Sequence, residues 1–560
     1  MKTYTDLEYL KLSKGQKFLY KIARFFCSIP KKILGLFVAL WNLIKKGCGI
    51  VKDEAVDIWS TFVKGDWKTK VSFLIMGFGN LARGQILRGL LFLLFEIVFI
   101  GYMVLAGGYW LSMLPSLGKV GPTEEYDWVL DAYYTVYNDN SFKILLYGVL
   151  TIFFIIAFIY TWRVNVRQNK LAEQILAKGK KLKSGKDDLR SLVDDQFHKT
   201  LMALPLTGIL IFTVLPIVFM ILVAFTNYDG AHDGYYSNLF GWVGLDNFNT
   251  MLNWNVNSGG SVQSYAATFG EVLSWTLMWA FFATFTNYFL GMFVAMAINK
   301  KGINMKKLWR TVLVMTIAIP QFISLLYVSK MFAKNGIING FLMNMGWITE
   351  ALPFWEDPTW ARITVIITNV WIGIPYLMLI TTGILMNIPQ DLYESARIDG
   401  ANPWQQYTKI TLPYMLFVTG PYLLTSFTGN MNNFNVIYLL TGGAPTNPMA
   451  SSAAGTVGYT DLLITWLFKI TQGAESQYYL ASVVGILVFI VVALISLGVA
   501  RHSAKERLND LQQQAQTLVQ ENEQLENDIS LLGTIESVKK LAQEFLNLVV
   551  PGTVFFSTGE

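Results

Sequence analysis

The chain has 560 residues, of which 53% are hydrophobic, 14% aromatic and only 15% charged. Soluble chains carry roughly a quarter charged residues, so most of this one takes a bilayer as its solvent, and a purely soluble globule is excluded. The formal net charge of +6 invites a nucleic-acid reading, but its placement along the chain fits the Lys/Arg excess of cytoplasmic loops instead. Cys27 and Cys48 are the sole cysteines, and His198, His232 and His502 lie far apart. No metal site is expected, and nothing points to a cofactor or a catalytic centre.

Residues 1–88 form a basic arm with sixteen Lys and Arg against six acids. No cleavable signal peptide is evident. The arm's apolar run Ile33–Ile44 is too short to span. Flanked by Lys31, Lys32, Lys45 and Lys46, it reads as an interfacial helix with snorkelling lysines, or as a peripheral packing helix.

Spanning takes about 20 apolar residues. Eight stretches qualify: Gly89–Met113, Ile144–Trp162, Leu201–Phe225, Val272–Ile298, Leu308–Val328, Ile363–Met386, Met415–Leu440 and Leu480–Ala500. Asn430, Asn432, Asn433 and Asn435 interrupt the seventh, and the run Tyr459–Ile470 is too short and polar to make a ninth. The chain thus divides into the arm, two accessory spans with a basic link (89–200), a core of six spans (201–500) and a tail (501–560).

Charge sorts the connections. Arg163–Thr200 carries ten basic residues, and Asn299–Arg310 holds Lys300, Lys301, Lys306, Lys307 and Arg310. Asn227–Gly270 has no Lys or Arg, and Pro115–Phe142 is acidic through Glu124, Glu125, Asp127, Asp131 and Asp139. Alternation puts both termini in the cytoplasm of a multi-pass membrane protein.

Within span six, Asn369-Val370-Trp371-Ile372-Gly373-Ile374-Pro375-Tyr376 combines an amide with two residues that weaken a helix and allow close backbone approach. Between spans six and seven, 389–413 reads PQDLYESARIDGANPWQQYTKITLP. It is a polar helix-turn-helix insert: Leu392, Tyr393 and Ala396 share a helix with Glu394, Gly400 permits a sharp turn, and Trp404, Tyr407 and Ile410 give a second segment an apolar side before Pro413 stops it. An apolar-faced knob beside a span is shaped to dock into another protein. Span seven carries Ser426-Phe427-Thr428-Gly429-Asn430-Met431-Asn432-Asn433-Phe434, running on to Tyr438-Leu439-Leu440-Thr441-Gly442-Gly443-Ala444-Pro445. Amides at membrane depth need partners; they hydrogen-bond helices together or serve sugar hydroxyls, to which they both donate and accept. Tyr376 and Phe434 offer ring faces for stacking on a sugar.

The pattern E-S-A-x-x-D-G-A-x-x-x-x-x-Y-x-x-I-x-L-P from Glu394 to Pro413 resembles the coupling loop, or EAA motif, of ABC-importer permeases. With the span-six and span-seven segments and Gly458-Tyr459-Thr460-Asp461-Leu462-Leu463, the chain is similar to the larger permease subunit of the maltose/maltodextrin type over roughly residues 70–500. Val243-Gly244-Leu245-Asp246-Asn247-Phe248 resembles an element that precedes the core spans in such permeases. The resemblance implies an all-α polytopic membrane protein of the type I ABC-importer permease fold. It implies sugar contacts at Asn369, Ile372, Gly373, Tyr376, Asn430 and Asn433. It also implies a cytosolic coupling loop that includes Asp399, in which Glu394 makes a polar contact, Gly400 forms the turn, and Tyr393, Ala396, Ala401 and Trp404 pack. Two departures stand out: Gly429 replaces an aromatic ring, and the family's large extracytoplasmic domain between spans three and four is missing.

No G-x-x-x-x-G-K-[ST] occurs, so the chain has no phosphate-cradling loop of its own. The resemblance implies as partners two ATP-binding subunits, a second permease, an extracytoplasmic sugar-binding protein and an oligosaccharide substrate, besides membrane lipids. The chain would then be a transport subunit and not an enzyme. The rival, an ion-coupled secondary sugar carrier, calls for ionisable residues inside the spans, and Glu96 is the conspicuous one.

After Arg501 the composition shifts to Gln, Glu, Asn and Leu. Leu508, Ala515, Asn522 and Ile529 fall at heptad position a, and Leu511, Leu518, Leu525 and Leu532 at d. This is the pattern of a parallel coiled coil with a register-setting Asn. The end of the chain resembles the septum-formation initiator family of divisome coiled coils, which makes a membrane anchor for such a coil the other alternative.

Overall fold

The computed structural model describes residues 41–42, 45–47, 49–253, 264–300, 302–448, 450, 457–472, 476–531 and 539. Most of the run Ile33–Ile44 and nearly all residues beyond Leu531 lie outside them. The chain forms two compact units, 1–220 with 232–242 and 221–231 with 243–560.

In the first unit, α1 (Ile86–Met113) and α2 (Ser141–Ala177) are long and apolar enough to cross a membrane. α2 continues well past Trp162 because its polar extension, Arg163–Ala177, still has a partner. Residues 66–85 fold back on it. The Asn165 amide donates to Ser72 O (2.8 Å) and its Oδ1 accepts from Gly77 N (3.0 Å), while Asn169 donates to Asn80 Oδ1 (3.0 Å). Buried Arg83 donates to Asn169 Oδ1 (2.8 Å), Thr69 Oγ1 (2.7 Å) and Asp66 (2.6 Å).

Glu96 belongs to this fold-back: its carboxylate accepts from Met76 N at 2.8 Å. It is used as an acceptor, so charge is dispensable. Glu96→Gln is expected to keep wild-type stability and transport, whereas Glu96→Leu orphans a buried N–H and loses about 1–3 kcal/mol, read as a lower Tm in detergent.

Between α1 and α2 the acidic connection forms an antiparallel hairpin, β1 (Thr123–Asp127) and β2 (Ala132–Val136), with Thr123 opposite Val136. Helix α3 (Gly185–Val193) opens with a Ser184/Asp187 capping box and precedes the third apolar helix, α4 (Phe197–Val223).

In the second unit Asn247, in α5 (Asp246–Leu252), donates to Ala224 O and Thr226 O at 2.9 and 2.7 Å. The Val243–Phe248 element thereby satisfies carbonyls left open where α4 ends. The central member is α6 (Tyr265–Asn299), buried at almost every turn: Trp275, Trp279, Ala283, Asn287, Gly291 and Ala295. α10 (Pro358–Leu385) packs along it, and small residues set the spacing. A Cβ on Gly291 would lie 2.7 Å from Leu377 Cβ.

Two expected spans break. Leu308–Val328 is not one helix: α7 (Lys306–Ala318) and α8 (Gln321–Met331) meet at 89°. Pro320, which lacks an N–H, serves as the N-cap of α8. Beyond α8 lies α9 (Ile337–Asn344). The stretch Met415–Leu440 likewise ends early, at Met431, and Phe434–Leu440 is a separate short helix whose N-cap is Asn433.

The insert 389–413 forms α11 (Gln390–Ile398), a turn at Gly400 (φ 78°), and then the start of α12 (Pro403–Met431). Pro413 does not stop the second segment. α12 runs from Pro403 to Met431 as one apolar helix, with a π turn over Tyr407–Thr411 just before Pro413, the kind of local widening that absorbs a proline. α10 stays helical through Pro375.

The short helix Phe434–Leu440, α13, leads into a folded cap. There α14 (Leu463–Ile470), eight residues long, is buried at Leu463, Thr465, Trp466 and Ile470 and is too short to cross. Finally α15 runs unbroken from Tyr478 to Leu531, 54 residues. The change at Arg501 is one of composition, not of backbone. Leu508, Leu511, Leu518, Leu525 and Ile529 are each more than half exposed. Counting the bent pair as one crossing, the described residues hold eight candidate spans.

Candidate functional site

Three helices bring the predicted sugar-contacting residues together. Asn430, near the end of α12, donates its amide to Thr284 Oγ1 on α6 (3.0 Å), and its backbone carbonyl accepts from Trp279 Nε1 (3.0 Å). Asn433 donates to Asn430 Oδ1 (3.4 Å) and its own Oδ1 caps Val436 N (3.4 Å). These amides thus also tie helices together. One turn along α6 from Thr284, Asn287 lies in the notch left by Gly373 of α10, where a methyl group would collide with its amide.

Asn369 and Gly373 stand at i and i+4 on one face of α10, so Asn369 lies one turn along that face from the notch. Among the described residues, Asn287 Oδ1 and Asn369 Nδ2 are the buried side-chain amide atoms without a hydrogen-bond partner. A buried, unsatisfied amide atom costs about 1–3 kcal/mol. No charged residue falls in α6 between Glu271 and Asn299, or in α10 after Arg362. The patch therefore offers neutral donors and acceptors.

Ile372 and Tyr376, at i+3 and i+7 from Asn369, share that face of α10. They line a cleft of about 320 Å³ with Trp371 and, from the broken pair, Ala318, Pro320 and Gln321. A broken span beside a polar patch is the construction by which transporters expose backbone groups at membrane depth. Gly429 leaves open space, with no atom within 4 Å of a would-be Cβ. Phe434 is engaged in packing: it stacks on Tyr438 (4.8 Å between centroids) and meets Phe468 edge-on.

Sequence reasoning missed Asn287, Thr284 and the break at Pro320. A lone Asn in an apolar run and an Ile-Pro-Gln inside a candidate span were the available signals.

The knob holds its own shape. Tyr393 Oη bonds Thr411 Oγ1 (2.9 Å), Ala401 N donates to Ala396 O (2.8 Å), and Asn402 and Gln405 form a capping box. Tyr393, Ala396 and Ala401 are half-buried within it, while Glu394 and Asp399 are exposed. Leu392, Ile398 and Trp404 present bare apolar surface, Ile398 at 86% and Trp404 at 70% exposure.

Beside α13, the cap is built on an ion pair. Asp461, fully buried, accepts from Lys469 Nζ (2.6 Å), Gly458 N (2.7 Å) and Thr465 Oγ1 (2.9 Å). Gly443 (φ 93°) lies so close to the pair that any side chain would collide with it. Arg362 completes the cap, its guanidinium 4.7 Å above the Trp275 ring and its Nε donating to Tyr459 O.

Apolar crossings, a central polar patch beside a broken helix and a self-supporting knob between two crossings define a membrane permease. The chain belongs to the permeases of binding-protein-dependent transport systems. Residues 287–507 match the family described as "Binding-protein-dependent transport system inner membrane component". Over 441 residues the chain is 32% identical to the maltodextrin transport system permease protein MalC of Streptococcus pneumoniae, covering 77% of this chain and 94% of that one. It is equally 32% identical, over 447 residues, to the maltodextrin permease MdxF of Bacillus subtilis, covering 78% and 95%. The galactooligosaccharide permease GanP of the same organism is 32% identical over 428 residues, covering 76% and 94%. The chain is a multi-pass permease subunit of an ABC importer.

Proposed function

We propose that this permease forms half of the passage through which an ABC importer takes up maltodextrin-like oligosaccharides. Its helices pair with a second permease, two ATP-binding subunits hydrolyse the nucleotide on the cytoplasmic side, and an extracytoplasmic binding protein delivers the sugar. Both termini and the knob 389–413 face the cytoplasm. Asn369, Ile372, Gly373, Tyr376, Asn430, Asn433 and Phe434 form the sugar-contacting wall. The knob seats in an ATP-binding subunit through Glu394 and the apolar surface around Trp404, with Tyr393, Ala396, Asp399, Gly400 and Ala401 keeping its shape. The tail reads as a coiled-coil appendage, supported by its exposed leucine seam.

The observation that carries this reading is the continuity of α12. The knob and the amide patch are the two ends of one helix, about 40 Å long at 1.5 Å per residue, with no loop between them to absorb a push. The two ends predict separable defects in a reconstituted assembly of permeases, ATP-binding subunits and binding protein. Glu394→Ala is expected to lower sugar-stimulated ATP hydrolysis several-fold. Asn433→Ala is expected to keep ATPase stimulation while lowering maltodextrin uptake about tenfold, one hydrogen bond's worth. Normal behaviour in both variants removes these assignments. Running galactooligosaccharides beside maltodextrins tests the sugar, since the open space at Gly429 changes the stacking surface.

A further inference from the structure

We propose that Asn287 of α6 is a further sugar-binding residue, which pairs with Asn369 to hold one hydroxyl group of the oligosaccharide. The inference rests on the reading of the passage above and adds a helix to its wall. Both residues are 6% exposed, and each carries a side-chain atom with no partner: an acceptor, Asn287 Oδ1, and a donor, Asn369 Nδ2.

Other buried amides of this unit are bonded. Asn247 has two carbonyls, Asn339 reaches three and Asn447 has Glu271. The chain therefore satisfies amides where they serve packing, and leaves these two open on helices that pack together. Gly373 makes the notch beside Asn287, since any side chain there would fill the space taken by that amide.

The open atoms also select a ligand. A hydroxyl donates one hydrogen bond and accepts others, so it satisfies Asn287 Oδ1 and Asn369 Nδ2 together. A carboxylate would leave the acceptor unmet, and an ammonium would leave the donor unmet. Thr284, one turn away and joined to Asn430, makes Asn287 the continuation of a polar stripe along α6 that the sequence-predicted residues on α10 and α12 already face.

The test is uptake by the full reconstituted importer, at saturating sugar-loaded binding protein, of maltotriose and a set of its monodeoxy derivatives. For wild type, one derivative, lacking the hydroxyl that meets the pair, is expected to be taken up about tenfold more slowly. In Asn287→Leu, maltotriose uptake falls by the same factor and that derivative does no worse than maltotriose. Asn287→Ser, smaller and still polar, covers a failure of the Leu variant to assemble; its uptake of maltotriose is expected to fall about threefold. Retention of every deoxy penalty with normal maltotriose uptake in either variant overturns the proposal. If Asn433→Ala is impaired in that case, the wider reading of the passage stands; if it too is normal, that reading fails with it.

Discussion

Replacing Lys469 by Met is expected to lower the stability of the second unit by about 3–5 kcal/mol, the loss that follows when one partner of a buried ion pair is removed. Asp461 is fully buried, and its two remaining donors, Gly458 N and Thr465 Oγ1, are neutral. Burial pushes the Asp461 carboxyl above its usual range, and the Lys469 ammonium pulls it back. Without that ammonium only the Gly458 and Thr465 hydrogen bonds oppose the upward push.

The sign of the pH dependence follows. A carboxyl whose folded pKa lies above its unfolded value binds the proton more tightly when folded. The variant's deficit is therefore full above the raised pKa and shrinks as the pH falls towards the ordinary Asp range, where the group is neutral. Thermal unfolding of the purified protein in detergent, followed across that range, measures this. The paired change Asp461→Asn with Lys469→Met is expected to recover most of the loss. A single variant as stable as wild type at neutral pH would mean that the pair does not hold the cap.

Gly373→Val is expected to cut uptake by about 10- to 100-fold, corresponding to an overpacking penalty of about 1–3 kcal/mol. The branched side chain has nowhere to go, because Asn287 occupies the space above the glycine and α6 and α10 are already in close contact at Gly291 and Leu377. Gly383 of the same helix is the control: nothing lies within 4 Å of a Cβ built there, so Gly383→Ala is expected to transport normally. Equal uptake by both variants at equal membrane levels would show that the tight contact has no bearing on the passage.

Much of the architecture was legible because hydropathy averages over 20 residues, and a crossing helix is an averaged property. The same averaging hid the breaks. Pro320 sits among Ile317, Ile319 and Phe322, whose apolarity carries the window across an 89° bend. The early end at Met431 was marked by clustered asparagines, yet only backbone geometry shows that Asn433 caps a new helix. Pro413 misled in the other direction: it lies inside α12, and the π turn ahead of it keeps the helix continuous. Asn369 and Asn430 were proposed from the motif alone. Asn287 was not, because its significance comes from the glycine of another helix that it faces.

The unbroken run of α15 has a mechanical corollary. About 30 residues of it extend beyond the last crossing, a mast of about 45 Å at 1.5 Å per residue. A stiff mast without a joint magnifies small tilts at its foot, so a few degrees of rocking in the final crossing would sweep its tip through several ångströms. Whatever grips that tip would register each transport cycle as a displacement, and clamping it would brake the machine from a distance.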